Sequence, residues 1–225
     1  MSKFLFIISL FFSANLWAAS EVVLVSSVKG GVTLDGIGST KAELQPFLRL
    51  KVGDRLSIPA DSQVSLVYFD KGRQEIWPGT AVLVVGESES QKVSGNAEVR
   101  FKQLPPQVTK QMNRSTPSPT EGKVGAVLLR ERTDSKVGAV RLRSIGPIDA
   151  MGKLETTYKE LRAQADAKDI EPELFLLAGL FEQREYMRLE SEMERISKAF
   201  PEDNSLIVLR KLYSRAIANA RQANN

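Results

Sequence analysis

Hydrophobic and polar positions alternate through the first hundred residues of the chain, and turn-forming residues interrupt them about every eight to twelve positions. Such alternation is typical of short strands in an all-β sandwich or barrel. The pattern predicts a strand pair over 21–27 and 31–35, one or two strands over 46–59, a hairpin over 62–69 and 73–77, and strands at 81–85, 91–93 and 98–102. The 81–85 run is apolar throughout, which predicts burial on both faces.

From Pro147 onward the apolar positions follow a helical period, with spacings of three and four residues. Helices are predicted over about 148–167, from 171, over 186–200 and from 202. Glu171-Pro172-Glu173 suits a first helical turn, because proline is tolerated there and acidic side chains complement the helix dipole. Pro201 ends the third of these helices.

A change in composition separates the two patterns. Residues 107–122 are rich in Ser, Thr, Pro, Gln and Asn, which predicts a flexible, partly extended linker over 105–122. The segment 123–130 then recurs as 136–143, which predicts a β-hairpin within 123–146. The fold class expected is α+β in two parts, an all-β sandwich or barrel-like domain at 20–104 and a helical bundle at 147–225.

The first residues resemble a secretory signal. Lys3 precedes an apolar run over 4–12, and Leu16-Trp17-Ala18-Ala19-Ser20 offers small residues for cleavage after Ala18 or Ala19. The predicted signal peptide is 1–19 and the predicted location is the periplasm. An uncleaved inner-membrane anchor is the alternative, although the run is short for a bilayer span.

The 225 residues include neither cysteine nor histidine. Thiolate and His-bound metal sites are therefore excluded, and so is a Ser-His-Asp triad. Carboxylate pairs and Ser-Lys arrangements remain open, with Asp54, Asp70 and Glu75 as the candidate carboxylates. Asp54 and Asp70 stand beside glycines, where aspartate commonly bonds its own backbone. We therefore predict no catalytic, cofactor or metal site, and we expect Trp77 to pack in the core.

The net charge of +4 is concentrated in the middle of the chain, where residues 104–146 contain eight basic and three acidic side chains. A candidate patch for an anionic partner lies there and consists of Arg130, Arg132, Lys136, Arg141 and Arg143. Such a patch could contact anionic lipid headgroups, lipopolysaccharide phosphates or an acidic partner. The alternative is a solvated strand edge whose charges prevent aggregation. Nucleic acid is not expected as a partner, because the segment has no aromatic side chain for stacking.

Two segments resemble known families. The Gly53-Asp54 entry, the hairpin from Ser62 to Gly72 and the Trp77-Pro78-Gly79-Thr80 exit are similar to the FecR-like periplasmic β domain, over about 22–85. Residues 173–201 resemble one tetratricopeptide (TPR) helical hairpin. This second match rests on Leu177, Ala178, Phe181, Tyr186, Leu189, Met193, Ile196 and Pro201. Leu189 and Ile196 are larger than the alanines that this family usually has there.

These resemblances imply binding scaffolds. The expected function is that of an exported, non-enzymatic protein that binds an envelope protein or cell-wall glycan. A candidate helical interaction face is formed by Phe181, Tyr186 and Tyr213. Two alternatives are kept: a glycan-processing hydrolase with paired carboxylates, and a membrane-surface protein that binds anionic lipid headgroups through the basic hairpin.

Overall fold

A computed structural model describes residues 21–35, 41–119, 147–201 and 203–222. The predicted signal peptide and the basic hairpin lie outside the described residues. The described chain is α+β: ten antiparallel strands in two sheets, followed by five helices.

The strands form two five-stranded sheets. The helix-side sheet has the order β10-β7-β6-β1-β4, and the outer sheet has the order β3-β2-β5-β8-β9. The strands are β1 Glu21–Lys29, β2 Thr33–Asp35, β3 Ala42–Glu43, β4 Arg49–Lys51, β5 Arg55–Ile58, β6 Gln63–Tyr68, β7 Arg73–Pro78, β8 Ala81–Val85, β9 Ser90–Gly95 and β10 Arg100–Gln103. Val23 and Leu66 of one sheet and Leu56 and Leu83 of the other belong to the same buried core.

The predicted hairpin over 62–77 is confirmed, since β6 and β7 pair in register from Gln63 to Tyr68. The predicted pairing of 21–27 with 31–35 is wrong. β1 pairs with β4 and β6, whereas β2 pairs with β3 and β5 in the other sheet. Gly30, with a φ of 76°, lies at the turn where the chain passes between the sheets. Alternation fixes which face of a strand is buried, but it does not select the neighbouring strand.

β8 corrects a second expectation. Its burial alternates, and Val82 and Val84 are partly exposed while Leu83 is fully buried. One face of β8 packs in the core between the sheets. The strand is therefore buried on one face and not on both, as is common in antiparallel sheets.

Helices form over all four predicted segments. The described helices are α1 Pro106–Ser115, α2 Pro147–Gln164, α3 Glu171–Glu182, α4 Tyr186–Ala199 and α5 Ser205–Gln222. α3 is buried from its first residue to Phe181. A helix that is apolar around its circumference belongs inside a core, and α3 contacts α1, α2 and α4.

α1 corrects the expectation of an extended linker. Val108 and Met112 are fully buried, and the Thr109 hydroxyl donates a hydrogen bond to the Phe69 carbonyl at 2.8 Å. Pro106 at the first helical position starts the helix. Average polarity predicted the linker, but two apolar residues four positions apart are enough to dock a short helix on its neighbour.

The helices cover the side of the helix-side sheet that faces away from the outer sheet. Leu24, Phe47, Val67 and Phe69 of the β part lie in one continuous hydrophobic cluster with residues of all five helices. The described chain is therefore layered as sheet, sheet and helices. The domain bounds remain a prediction, but the two parts share a core.

Candidate functional site

A cleft lies where the helix-side sheet meets the loop between α2 and α3, and we name it the junction cleft. It consists of two adjoining cavities of about 390 and 350 Å³, which share Gln74, Asp169 and Glu171 in their walls. The larger cavity is also lined by Lys102, Val108 and Leu161, and the smaller by Lys29, Arg100 and Lys168.

The strand registers explain why polar side chains reach this cleft. Val67 of β6 is opposite Gln74 of β7, and Gln74 is opposite Lys102 of β10. Cross-strand partners share a face of the sheet. Val67 belongs to the cluster that contains the helices, so Gln74 and Lys102 lie on that same face.

Glu171 is the first residue of α3, and its side chain connects the helix to the helix-side sheet. Its Oε1 accepts hydrogen bonds from the Ser26 hydroxyl at 2.7 Å and from the Ser65 hydroxyl at 3.0 Å. The side chain is 3% exposed. Burial raises the pKa of Glu171, and the hydrogen bonds from Ser26 and Ser65 counter this only in part. The junction therefore contains a carboxyl group that retains its proton more strongly than an exposed glutamate.

Ion pairs hold the α2–α3 loop against the sheet. Lys102 Nζ lies 2.5 Å from Asp169 Oδ2 and 2.8 Å from Asp166 Oδ2. Burial lowers the pKa of Lys102, but hydrogen bonds to the two aspartates outweigh it and raise the pKa. On the helical side, Arg162 Nη1 lies 2.9 Å from Glu173 Oε2 and donates to the Asp169 carbonyl at 2.7 Å.

Gln74 is the exception in this network. Its side chain is 2% exposed and lines both cavities. Its amide makes no hydrogen bond within the part of the chain that the structure describes, and it is open to the cleft rather than buried. The Ser, Glu, Lys and Asp side chains around it are bonded. The Gln74 amide is therefore free to bond a group that enters the cleft.

The other candidate carboxylates take structural positions. Asp54 Oδ2 accepts a hydrogen bond from the Lys51 backbone N–H at 2.8 Å, within the β4–β5 turn. Asp70 is exposed in the β6–β7 turn. Glu75 is fully buried and accepts from Arg73 Nε at 2.7 Å and from the Trp77 indole at 2.9 Å. Trp77 packs in the core, as expected, and is 3% exposed.

The predicted helical interaction face of Phe181, Tyr186 and Tyr213 is mostly buried, so that prediction is wrong. The structure does bring the rings together, with centroids 5.9 Å apart for Phe181–Tyr186 and 5.8 Å apart for Phe181–Tyr213. However, Phe181 is 6% exposed and Tyr213 is 1% exposed, and only Tyr186 reaches the surface in part. The three rings stabilise the packing of α3, α4 and α5. The basic patch at 130–143 lies outside the described residues.

Sequence reasoning missed the junction cleft. Gln74 stands within an alternating hairpin, where its position is indistinguishable from that of a solvated strand residue. The Glu171-Pro172-Glu173 pattern indicates a first helical turn, where acidic side chains complement the helix dipole, and gives no sign that Glu171 contacts the sheet. One signal was present: α3 is apolar on all sides, so acidic residues at its start have to be buried along with it.

Comparison of the chain with protein-family models, with curated proteins and with solved structures gives no match. No helix among the described residues is long and apolar enough to cross a membrane. Within the same residues, no group of three or more acidic side chains is placed to hold a metal ion.

Proposed function

We propose that this chain is an exported, non-enzymatic binding protein of the bacterial cell envelope. In this proposal, a FecR-like β sandwich and a TPR-like helical part hold a partner at the junction cleft. The observation that carries it is the amide of Gln74, which lines both cavities and makes no hydrogen bond within the described residues. An amide both donates and accepts, so it matches the peptide groups of a protein segment and the hydroxyl and acetamido groups of a glycan.

The size of the cleft supports a short ligand segment. Binding pockets for small ligands commonly have volumes of about 300–1,000 Å³, and each cavity falls in this range. The partner therefore enters as a loop tip, a peptide end or a few sugar units of an envelope protein or cell-wall glycan. In the larger cavity Lys102 and Asp169 are paired with each other, which favours a neutral, hydrogen-bonding segment there over an ionic one.

The carboxylates support binding over hydrolysis. Asp166 and Asp169 are paired with Lys102, and Glu173 is paired with Arg162. A glycosidase needs two carboxyl groups that face one substrate across a gap of about 5–9.5 Å. The sequence-predicted carboxylates are far from such an arrangement. Asp54 lies in the β4–β5 turn, Asp70 in the β6–β7 turn, and Glu75 in the core between the sheets. The lipid-binding alternative depends on residues 123–146 and stays a prediction.

Site-specific photocrosslinking in intact cells tests this proposal. A benzophenone amino acid is placed at Gln164 or Lys168, which are exposed residues in the walls of the cleft. The control position is Gln91, exposed on β9 of the outer sheet. We expect adducts at the cleft positions only, and mass spectrometry of the adduct distinguishes protein from glycan.

The variant Gln74→Leu makes the test specific. It removes the amide and keeps a side chain of similar size, so the fold is retained while the adduct yield falls by about ten-fold, as expected for a lost buried hydrogen bond. Adducts that form equally at Gln91, or that survive Gln74→Leu at full yield, would contradict the proposal.

A further inference from the structure

The outward face of α5 is positively charged. Arg210, Lys211, Arg215 and Arg221 are exposed, and α5 contains no acidic residue. At about 3.6 residues per turn these four cations fall on one side of the helix. The opposite side is buried in the core and consists of Leu206, Leu209, Leu212, Tyr213, Ala216, Ile217 and Ala220.

The charge of this face contrasts with the rest of the helical part. Residues 147–204 contain eight basic and fourteen acidic side chains, whereas α5 has four basic side chains. Surfaces that serve solubility alone usually mix both signs. Arg221 lies 3.7 Å from Glu190 of α4, and Arg210 interacts electrostatically with Glu194 of the same helix. Lys211 and Arg215 have no ion pair within the described residues. The face therefore retains uncompensated positive charge.

From this surface we infer that α5 docks an acidic segment of a partner protein. Arginine binds carboxylates through two parallel hydrogen bonds, and three of the four cations are arginines. Ile207, 58% exposed at the start of the face, offers one apolar contact. α5 contacts α4 through its inner side, so a partner helix laid on its outward face would add one layer to the packing.

Other occupants fit less well. A helix that binds at a membrane interface buries its apolar face among the lipids, and the apolar face of α5 is already buried in the protein. The chain's own segment 123–146 has six basic and two acidic residues, so it would be repelled. The inference is independent of the junction cleft, and failure of either leaves the other standing.

Fluorescence anisotropy with the whole chain tests this docking. The probe is a labelled peptide of about 20 residues with alternating glutamate pairs and alanine pairs, a length that matches α5, and the same peptide with glutamine is the blank. The variant is Arg210→Glu, Lys211→Glu and Arg215→Glu combined. The matched control is Lys41→Glu, Lys51→Glu and Lys71→Glu combined, which changes the net charge equally on exposed lysines of the β part.

We expect the α5 variant to bind the acidic peptide at least about ten-fold more weakly and the control to stay within about two-fold of the unchanged protein. Equal losses in both variants would show that net charge alone attracts the peptide, and would overturn the inference. So would binding to vesicles of phosphatidylglycerol and phosphatidylcholine that depends on the same three residues while peptide binding does not. A dimer in sedimentation that the α5 variant abolishes would assign the face to a second copy instead. Circular dichroism of each variant verifies that it is folded.

Discussion

At the scale of single residues, Glu171 is a carboxyl group that the fold removes from water and bonds to two hydroxyls. Its pKa in the folded protein is raised above the ordinary value of 4.5. The folded state therefore binds this proton more tightly than the unfolded chain does. The stability that follows is fully present below about pH 4.5 and is lost as the pH rises through the raised pKa.

Glu171→Gln tests this dependence, because glutamine stays neutral and keeps an acceptor for Ser26 and Ser65. The free energy of unfolding of the unchanged protein should fall relative to that of the variant as the pH rises, by about 1.4 kcal/mol for each ten-fold difference in proton affinity. Urea denaturation between about pH 4 and 8 measures it. Glu160→Gln, at an exposed site on α2, is the matched control. A difference for Glu171→Gln that does not change with pH would show that Glu171 is not held in this way.

Residues of this kind are the hardest to predict from sequence. The composition did predict that Trp77 packs in the core, because a large aromatic side chain in an alternating strand is most stable there. Gln74 and Glu171 are polar, and propensity places polar residues at the surface. Their burial follows from a layer of helices that covers the sheet, and local sequence holds no information about that layer.

At the scale of turns and helices, two glycines with the same positive φ make a matched pair. Gly72 and Gly79 both have a φ of 65°. A methyl group at Gly79 would meet no atom within 4 Å, whereas at Gly72 it would meet the carbonyl oxygen of Leu104. The Leu104 N–H also bonds the Gly72 carbonyl at 2.6 Å, which fixes the chain just before α1.

We expect Gly79→Ala to cost about 1–2 kcal/mol, the usual penalty of a left-handed conformation with a side chain. Gly72→Ala should cost clearly more, because the Leu104 backbone must move as well. Chemical denaturation of the two variants measures the difference. Equal losses would indicate that the contact between the β6–β7 turn and Leu104 does not constrain the fold.

α1 leads to a second prediction at this scale. Met112 is fully buried in the cluster that the helices share with the sheet. Met112→Ala should therefore destabilise the protein by about 2–5 kcal/mol, whereas Lys110→Ala on the exposed side should change stability by less than about 0.5 kcal/mol. Both values come from denaturation midpoints. A neutral Met112→Ala would restore the interpretation of residues 105–122 as a linker.

The elements were predicted well where one period extends over many residues, as in the β6–β7 hairpin and the helices after Pro147. The partners of the strands were not, because pairing between β1 and β6 depends on contacts some forty positions apart. α1 was missed because its apolar face consists of two residues within a polar stretch. A short helix gains its stability from its neighbour rather than from its own sequence.

At the scale of the whole molecule, the shared hydrophobic cluster decides whether the chain behaves as one unit or as two. Leu24, Val67 and Phe69 of the β part are buried together with Leu174 and other residues of the helices. Separating the parts would expose this apolar surface and the Glu171 network. We therefore expect the strands and the helices to unfold in one cooperative transition.

Two probes can follow the two parts separately. Trp77 lies in the β part, and the other tryptophan, Trp17, lies in the predicted signal peptide, so tryptophan fluorescence of the processed chain reports on the sheets. Far-ultraviolet circular dichroism reports mainly on the helices.

Leu174→Ala removes a fully buried side chain from α3 and should cost about 2–5 kcal/mol. If the core is shared, both midpoints move by the same denaturant concentration. Leu83→Ala, in the core between the sheets, should move both as well. If Leu174→Ala shifted the dichroism and left the Trp77 transition in place, the helices would be an independent domain, and the junction cleft would be a contact between two separately stable units.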